Sequence, residues 1–161
     1  MCGALLEEKM KPKILVLGIG NELCGDDGFG PTVAREFSRL KTDGVDIRNG
    51  DTRGLNLIWC MEDYDIVLVA DVVKGIGEPG QIEKIEWRDI TEEGMLFSLH
   101  ELGLTQATTL AKAMNVAIPK IVIFGVQPKK MKFGDTELSP EVSEAVPIVV
   151  EMIQKEICSL R

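Results

Sequence analysis

Residues 14–30 constrain this chain more than any other stretch: they read ILVLGIGNELCGDDGFG. The run from Lys13 to Gly18 shows no polar alternation, which predicts a strand covered on both faces. It passes directly into a loop carrying Gly18, Gly20, Gly25, Gly28 and Gly30 and then opens a helix. Glycine at this density lets the backbone turn tightly and lets another molecule come close. The adjacent carboxylates of Asp26 and Asp27 follow the carboxyl end of that strand, where open α/β sheets hold their ligands.

Two further apolar runs, Asp65–Asp71 and Lys120–Val126, read as buried strands, and the first of them again ends on an aspartate. Helical patterns separate them. Pro31 suits a first helical turn, and Val33, Ala34, Phe37 and Leu40 recur at helical spacing to about Lys41. Val45–Arg48 predicts a short strand, residues 49–54 a glycine-punctuated turn, and Leu55–Met61 a short helix. Apolar residues at 82, 85 and 87 predict an edge strand over Gln81–Trp87, and a helix is expected over about 104–114. Past a loop at 127–138, Ser139 reads as an N-cap with Pro140 at the first helical position. Val142, Val146, Val149, Ile153 and Ile157 then form a core-facing stripe, which Pro147 should kink or restart. Strands alternating with helices predict a three-layer α/β/α sandwich around a mostly parallel twisted sheet, with one antiparallel edge strand. Residues 1–161 are expected to form a single domain, with 1–12 as a flexible leader.

A net charge of −8 argues against nucleic acid or an anionic membrane surface as partner, since each requires a basic face. No apolar stretch is long enough to span a bilayer, and the first dozen residues lack the apolar core of a signal peptide. The four cysteines, at 2, 24, 60 and 158, form no Cys-x-x-Cys pair. Free thiols in a reducing cytoplasm, on a monomer, are the expectation.

Asp27, Asp71 and His100, the sole histidine, are the candidate functional side chains. In a parallel sheet the carboxyl ends of all strands share one edge, so the two aspartates are expected to approach each other there, with His100 returning on a loop. Two carboxylates and an imidazole make a mixed donor set that suits a divalent transition ion and leaves positions open. Each residue also has a plainer reading: an aspartate after a strand caps the next helix or satisfies a turn, and a loop histidine is simply exposed. Asp26 rivals Asp27, one facing the site while the other caps the helix near Phe29. Glu101 either orients the His100 ring or is a solvated charge, and Cys24 reads as a small packing residue. Gly18-x-Gly20 after a strand also suggests a dinucleotide site, but Leu23 stands where the third glycine belongs and the aspartates would repel a pyrophosphate.

Three ordered motifs carry a resemblance over nearly the whole chain. Gly18-Ile19-Gly20-Asn21 with Asp26-Asp27-Gly28-x-Gly30, then Val69-Ala70-Asp71, then Ser98-x-His100-Glu101-Leu102-Gly103 resemble the signatures of the [NiFe]-hydrogenase maturation endopeptidases. Within that family the combination is similar to the members associated with coenzyme F420-reducing hydrogenases. The resemblance implies an endopeptidase that trims a C-terminal extension from the hydrogenase large-subunit precursor. Asp27, Asp71 and His100 would then be both the catalytic set and the contacts to nickel, which arrives already bound in the precursor and serves as recognition element. It further implies that Gly20, Asn21, Gly50, Asp51, Thr52 and Gly54 lie near the substrate. Asp51 replaces a more usual glycine, and Asn49 stands where an aspartate is common, departures that bear on cleavage specificity. A maturation chaperone that engages the nickel site without cutting would use the same three residues.

Overall fold

The computed structural model describes residues 11–50, 56–87 and 108–161. Five strands form one sheet: β1 (Ile14–Ile19), β2 (Val45–Gly50), β3 (Ile66–Val72), β4 (Ile82–Glu86) and β5 (Lys120–Val126), in the order β2-β1-β3-β5-β4. The first three and β5 run parallel, and β4 pairs antiparallel to β5 at the edge. Helices α1 (Phe29–Ser38), α2 (Asn56–Met61), α3 (108–113) and α4 (Pro140–Ser159) cover the faces, and a 3-10 turn at Gly25–Gly28 leads into α1.

Strict alternation in the central strands explains the two-sided cover. Ile14 and Val16 of β1, Leu68 and Ala70 of β3, and Val122 and Phe124 of β5 pack with Phe29, Val33 and Phe37 of α1 and with α4. Their neighbours Leu15, Leu17, Val67, Val69, Ile121 and Ile123 pack on the other side with Leu57, Ile58 and Met61 of α2 and Ala111 of α3. No residue of β1 or β3 faces water, as the uninterrupted apolar runs require. This is the expected α/β/α sandwich.

Three local expectations are corrected. Asn49 and Gly50 do not belong to a turn. They extend β2, opposite Gly18 and Ile19, because the parallel ladder continues as far as its partner strand does. The α1 helix stops at Ser38 rather than Lys41. Lys41 takes a positive φ of 48°, and Leu40 beyond the helix end is substantially exposed. Pro147 does not restart the helix: α4 runs on through it from Pro140 to Ser159. Its ring lies on the solvent side, while Val142, Val146, Val149, Ile153 and Ile157 are all buried against the sheet and α1. Burying each such side chain contributes about 1.5–3 kcal/mol, which together outweighs the roughly 3 kcal/mol of an interior proline.

Candidate active site

The carboxyl ends of β1, β2, β3 and β5 share one edge of the sheet, and the residues just past it build the site. Asp71 is the penultimate residue of β3 and lies opposite Gly125 of β5. It is only 5% exposed, and its Oδ1 accepts the Val72 N–H at 2.7 Å. Asp27, in the 3-10 turn, is likewise 5% exposed. Its carbonyl oxygen and its Oδ2 both accept the N–H of Asn21, at 3.1 and 3.0 Å. Asn21 Oδ1 in turn accepts the Leu23 N–H at 2.9 Å, so the loop leaving β1 is folded around Asp27.

Glycines bring the two aspartates to the same place. A Cβ on Gly20 would stand 1.8 Å from the Asp27 carbonyl oxygen, and one on Gly18 would stand 2.2 Å from the Gly30 carbonyl oxygen. A Cβ on Gly30 would lie 2.1 Å from the Ile19 carbonyl oxygen and 2.4 Å from that of Ala70. The start of α1 therefore rests directly on the backbones of β1 and β3, and Asp27 is carried to the edge where β3 delivers Asp71. Gly30→Ala should cost about 3 kcal/mol as backbone is forced apart, lowering the melting temperature by roughly 6–12 °C in a thermal unfolding scan.

Asp26 has a different role from its neighbour. It is fully buried, and it caps neither α1 nor a turn. Its Oδ2 accepts the N–H groups of Lys129 and Lys130, both at 2.8 Å, and the Ser139 hydroxyl at 3.0 Å. Its Oδ1 accepts the Ser139 N–H at 2.6 Å. Main-chain bonds from Asp26 N–H to the Lys130 carbonyl, at 2.9 Å, and from Gly25 N–H to the Asp135 carbonyl, at 2.7 Å, run alongside. Ser139 thus precedes α4 as expected, but its hydroxyl serves Asp26 instead of capping the helix. The doubled aspartate signals that one of the two serves the site, but the partners of Asp26 lie too far along the chain for the sequence to show which.

A cleft of about 480 Å³ is lined by Gly25 and Asp26 together with the 129–140 loop, with Lys130, Asp135 and Leu138 among its walls. Lys130, hydrogen-bonded to Asp135, holds that carboxyl below the usual carboxylate range, and Lys129 does the same for Glu141. Both ion pairs are open to solvent, at 2.6 and 2.5 Å. Gly20 and Asn21 form the floor under Asp27, and Gly50 ends β2 beside Ile19. His100 and Glu101, together with Asp51, Thr52 and Gly54, lie outside the described residues. Among the described residues, no three His, Cys, Asp or Glu side chains stand together as a metal-holding group. No helix among them is long and apolar enough to cross a membrane.

Comparison with known proteins agrees with this architecture. The model of the hydrogenase maturation protease family matches residues 31–156. The chain is 32% identical over 157 residues to coenzyme F420 hydrogenase subunit delta of Methanothermobacter thermautotrophicus, covering 90% of this chain and 94% of that one. It is 30% identical over 144 residues to the hydrogenase expression/formation protein HupD of Rhizobium leguminosarum, covering 87% of this chain and 71% of that protein. The crystal structure of a hydrogenase 2 maturation peptidase from a Thaumarchaeota archaeon superposes with a TM-score of 0.69 at 34% identity, covering 92% and 99% of the two chains. A family model matching most of the chain, relatives aligned over nearly its full length, and a shared fold lead to one conclusion: this chain belongs to the hydrogenase maturation proteases.

Proposed function

We propose that the protein is an endopeptidase that removes a C-terminal extension from a hydrogenase large-subunit precursor already carrying nickel, with Asp27, Asp71 and His100 meeting the ion. The observation that carries this reading is the pair of buried carboxylates, Asp27 and Asp71, brought to one sheet edge by glycines that leave the backbone no alternative course. Membership of the maturation proteases supports peptide hydrolysis and a hydrogenase precursor as the substrate. The similarity to an F420 hydrogenase subunit favours a precursor of that kind.

Two buried oxygen donors with one imidazole would complete the shell of an ion held mainly by the precursor, and would retain a free ion poorly. The acidic edge also favours a cationic centre at short range, within a Debye length of about 8 Å at physiological salt. In one route Asp27 or Asp71 takes a proton from an attacking water while the bound ion fixes the precursor against the edge. In the competing route the ion polarises the scissile carbonyl or activates the water, and the aspartates serve only as its ligands.

The test mixes the protein with precursor prepared with and without nickel and weighs the products by mass spectrometry. Loss of a C-terminal peptide from the nickel-loaded sample alone is expected. Trimming of both samples would refute the metal requirement. A precursor that is bound but never shortened would establish the maturation chaperone instead.

A further inference from the structure

Two loops beside the candidate active site each present one large apolar side chain to water. Leu23 is 52% exposed and Phe133 is 76% exposed. Although 110 positions apart in the chain, they stand on loops whose backbones meet, the Gly134 N–H donating to the Leu23 carbonyl at 2.8 Å. Leu23 belongs to the loop that wraps Asp27, and its own N–H is held by Asn21. Both side chains therefore stand on backbone that is hydrogen-bonded to the loop folded around Asp27. Asp26 fixes one flank through Lys129 and Lys130, and Gly25 fixes the other through Asp135.

Charge adds a second constraint. Three of the four residues at 129–132 are lysines on a chain of net charge −8. All three are exposed: Lys129 pairs with Glu141 and Lys130 with Asp135, while Lys132, next to Phe133, makes no ion pair of its own among the described residues and adds its charge to the pull on Asp135. An exposed aromatic beside a lysine, on backbone tied to the loop around Asp27, matches an apolar side chain flanked by a carboxylate.

We propose that Leu23, Phe133 and Lys132 form a docking surface for the precursor polypeptide, engaging an apolar residue and an acidic residue close to the scissile segment. The proposal rests on the endopeptidase reading for the identity of its partner. A segment seated on Leu23 continues toward Asp27 along the loop that Asn21 holds, so occupancy of the patch sets which peptide bond reaches the carboxylates.

The experiment measures the Kd of nickel-loaded precursor for the parent protein and for Leu23→Ala/Phe133→Ala and Lys132→Glu, with trimming followed in parallel. The double variant should weaken binding by tenfold or more, as loss of a buried aromatic anchor does. It should raise KM in proportion and leave kcat within about twofold. Thermal stability should hold, since both side chains are exposed. Ile148→Ala, at an exposed position in the middle of α4, should change neither constant. Lys132→Glu should weaken binding most at low salt. If the parent trims and the double variant binds as the parent does, the docking surface is refuted and the endopeptidase reading stands. If the parent binds through the patch without trimming, the converse holds. A parent that neither binds nor trims overturns both.

Discussion

Asp71→Asn should slow trimming of a nickel-loaded precursor by about a hundredfold or more, the range that removing a positioned general base produces. The substitution is suited to the question because it changes charge with little change in shape. The amide keeps one oxygen to accept the Val72 N–H, and the side chain stays in its buried place at the end of β3. Loss of the negative charge removes proton acceptance and much of the attraction for a cation together. Asp27→Asn should behave alike, since its remaining oxygen still accepts from Asn21. His100→Ala should also stop processing. Melting temperatures within a few degrees of the parent would assign these losses to chemistry rather than to folding. Wild-type trimming rates in all three variants would refute the site.

The largest effect on stability is expected from Asp26→Ala. The buried carboxylate accepts four hydrogen bonds, three of them from main-chain N–H groups in a partly buried setting. Bonds to a charged acceptor contribute about 1.5–3 kcal/mol each, and each orphaned buried donor costs about 1–3 kcal/mol. These terms overlap, so a destabilisation of roughly 4–5 kcal/mol is the reasonable sum, similar to breaking a buried ion pair. At about 2–4 °C per kcal/mol, the melting temperature should drop by roughly 8–20 °C. Urea unfolding would show the same loss as a shifted midpoint with an unchanged slope. Asp26→Asn should fall between, because one oxygen remains while its amide faces donors. A shift under about 3 °C for Asp26→Ala would refute the assignment.

What could be read from the sequence, and what could not, divides along the range of the interactions. The apolar runs at 14–19, 66–70 and 121–126 announce buried strands because burial on both faces leaves no polar position within them. The stripe on α4 was equally plain, each member lying on one helical face. Asp27 and Asp71 could be singled out because a parallel sheet puts the ends of its strands together. The role of Asp26 could not, since its donors lie 103 to 113 residues further along, whereas local rules offer only a helix cap. The same distance hid the true partner of the Ser139 hydroxyl. The length of β2 depended on how far β1 continued opposite it. That α4 continues through Pro147 is likewise not legible locally, because proline rules weigh the helix alone and the packing of the opposite face decides whether it survives.

The link between Asp26 and Ser139 ties the beginning of the fold to nearly its last element, across 113 positions. During synthesis the acidic turn leaves the ribosome long before the chain that must clamp it. Contacts of such separation form late, after the loop-closure entropy has been met by the rest of the sheet. Hydrolytic competence should therefore appear only when α4 docks, and a prematurely terminated chain would hold both aspartates without the clamp beside them.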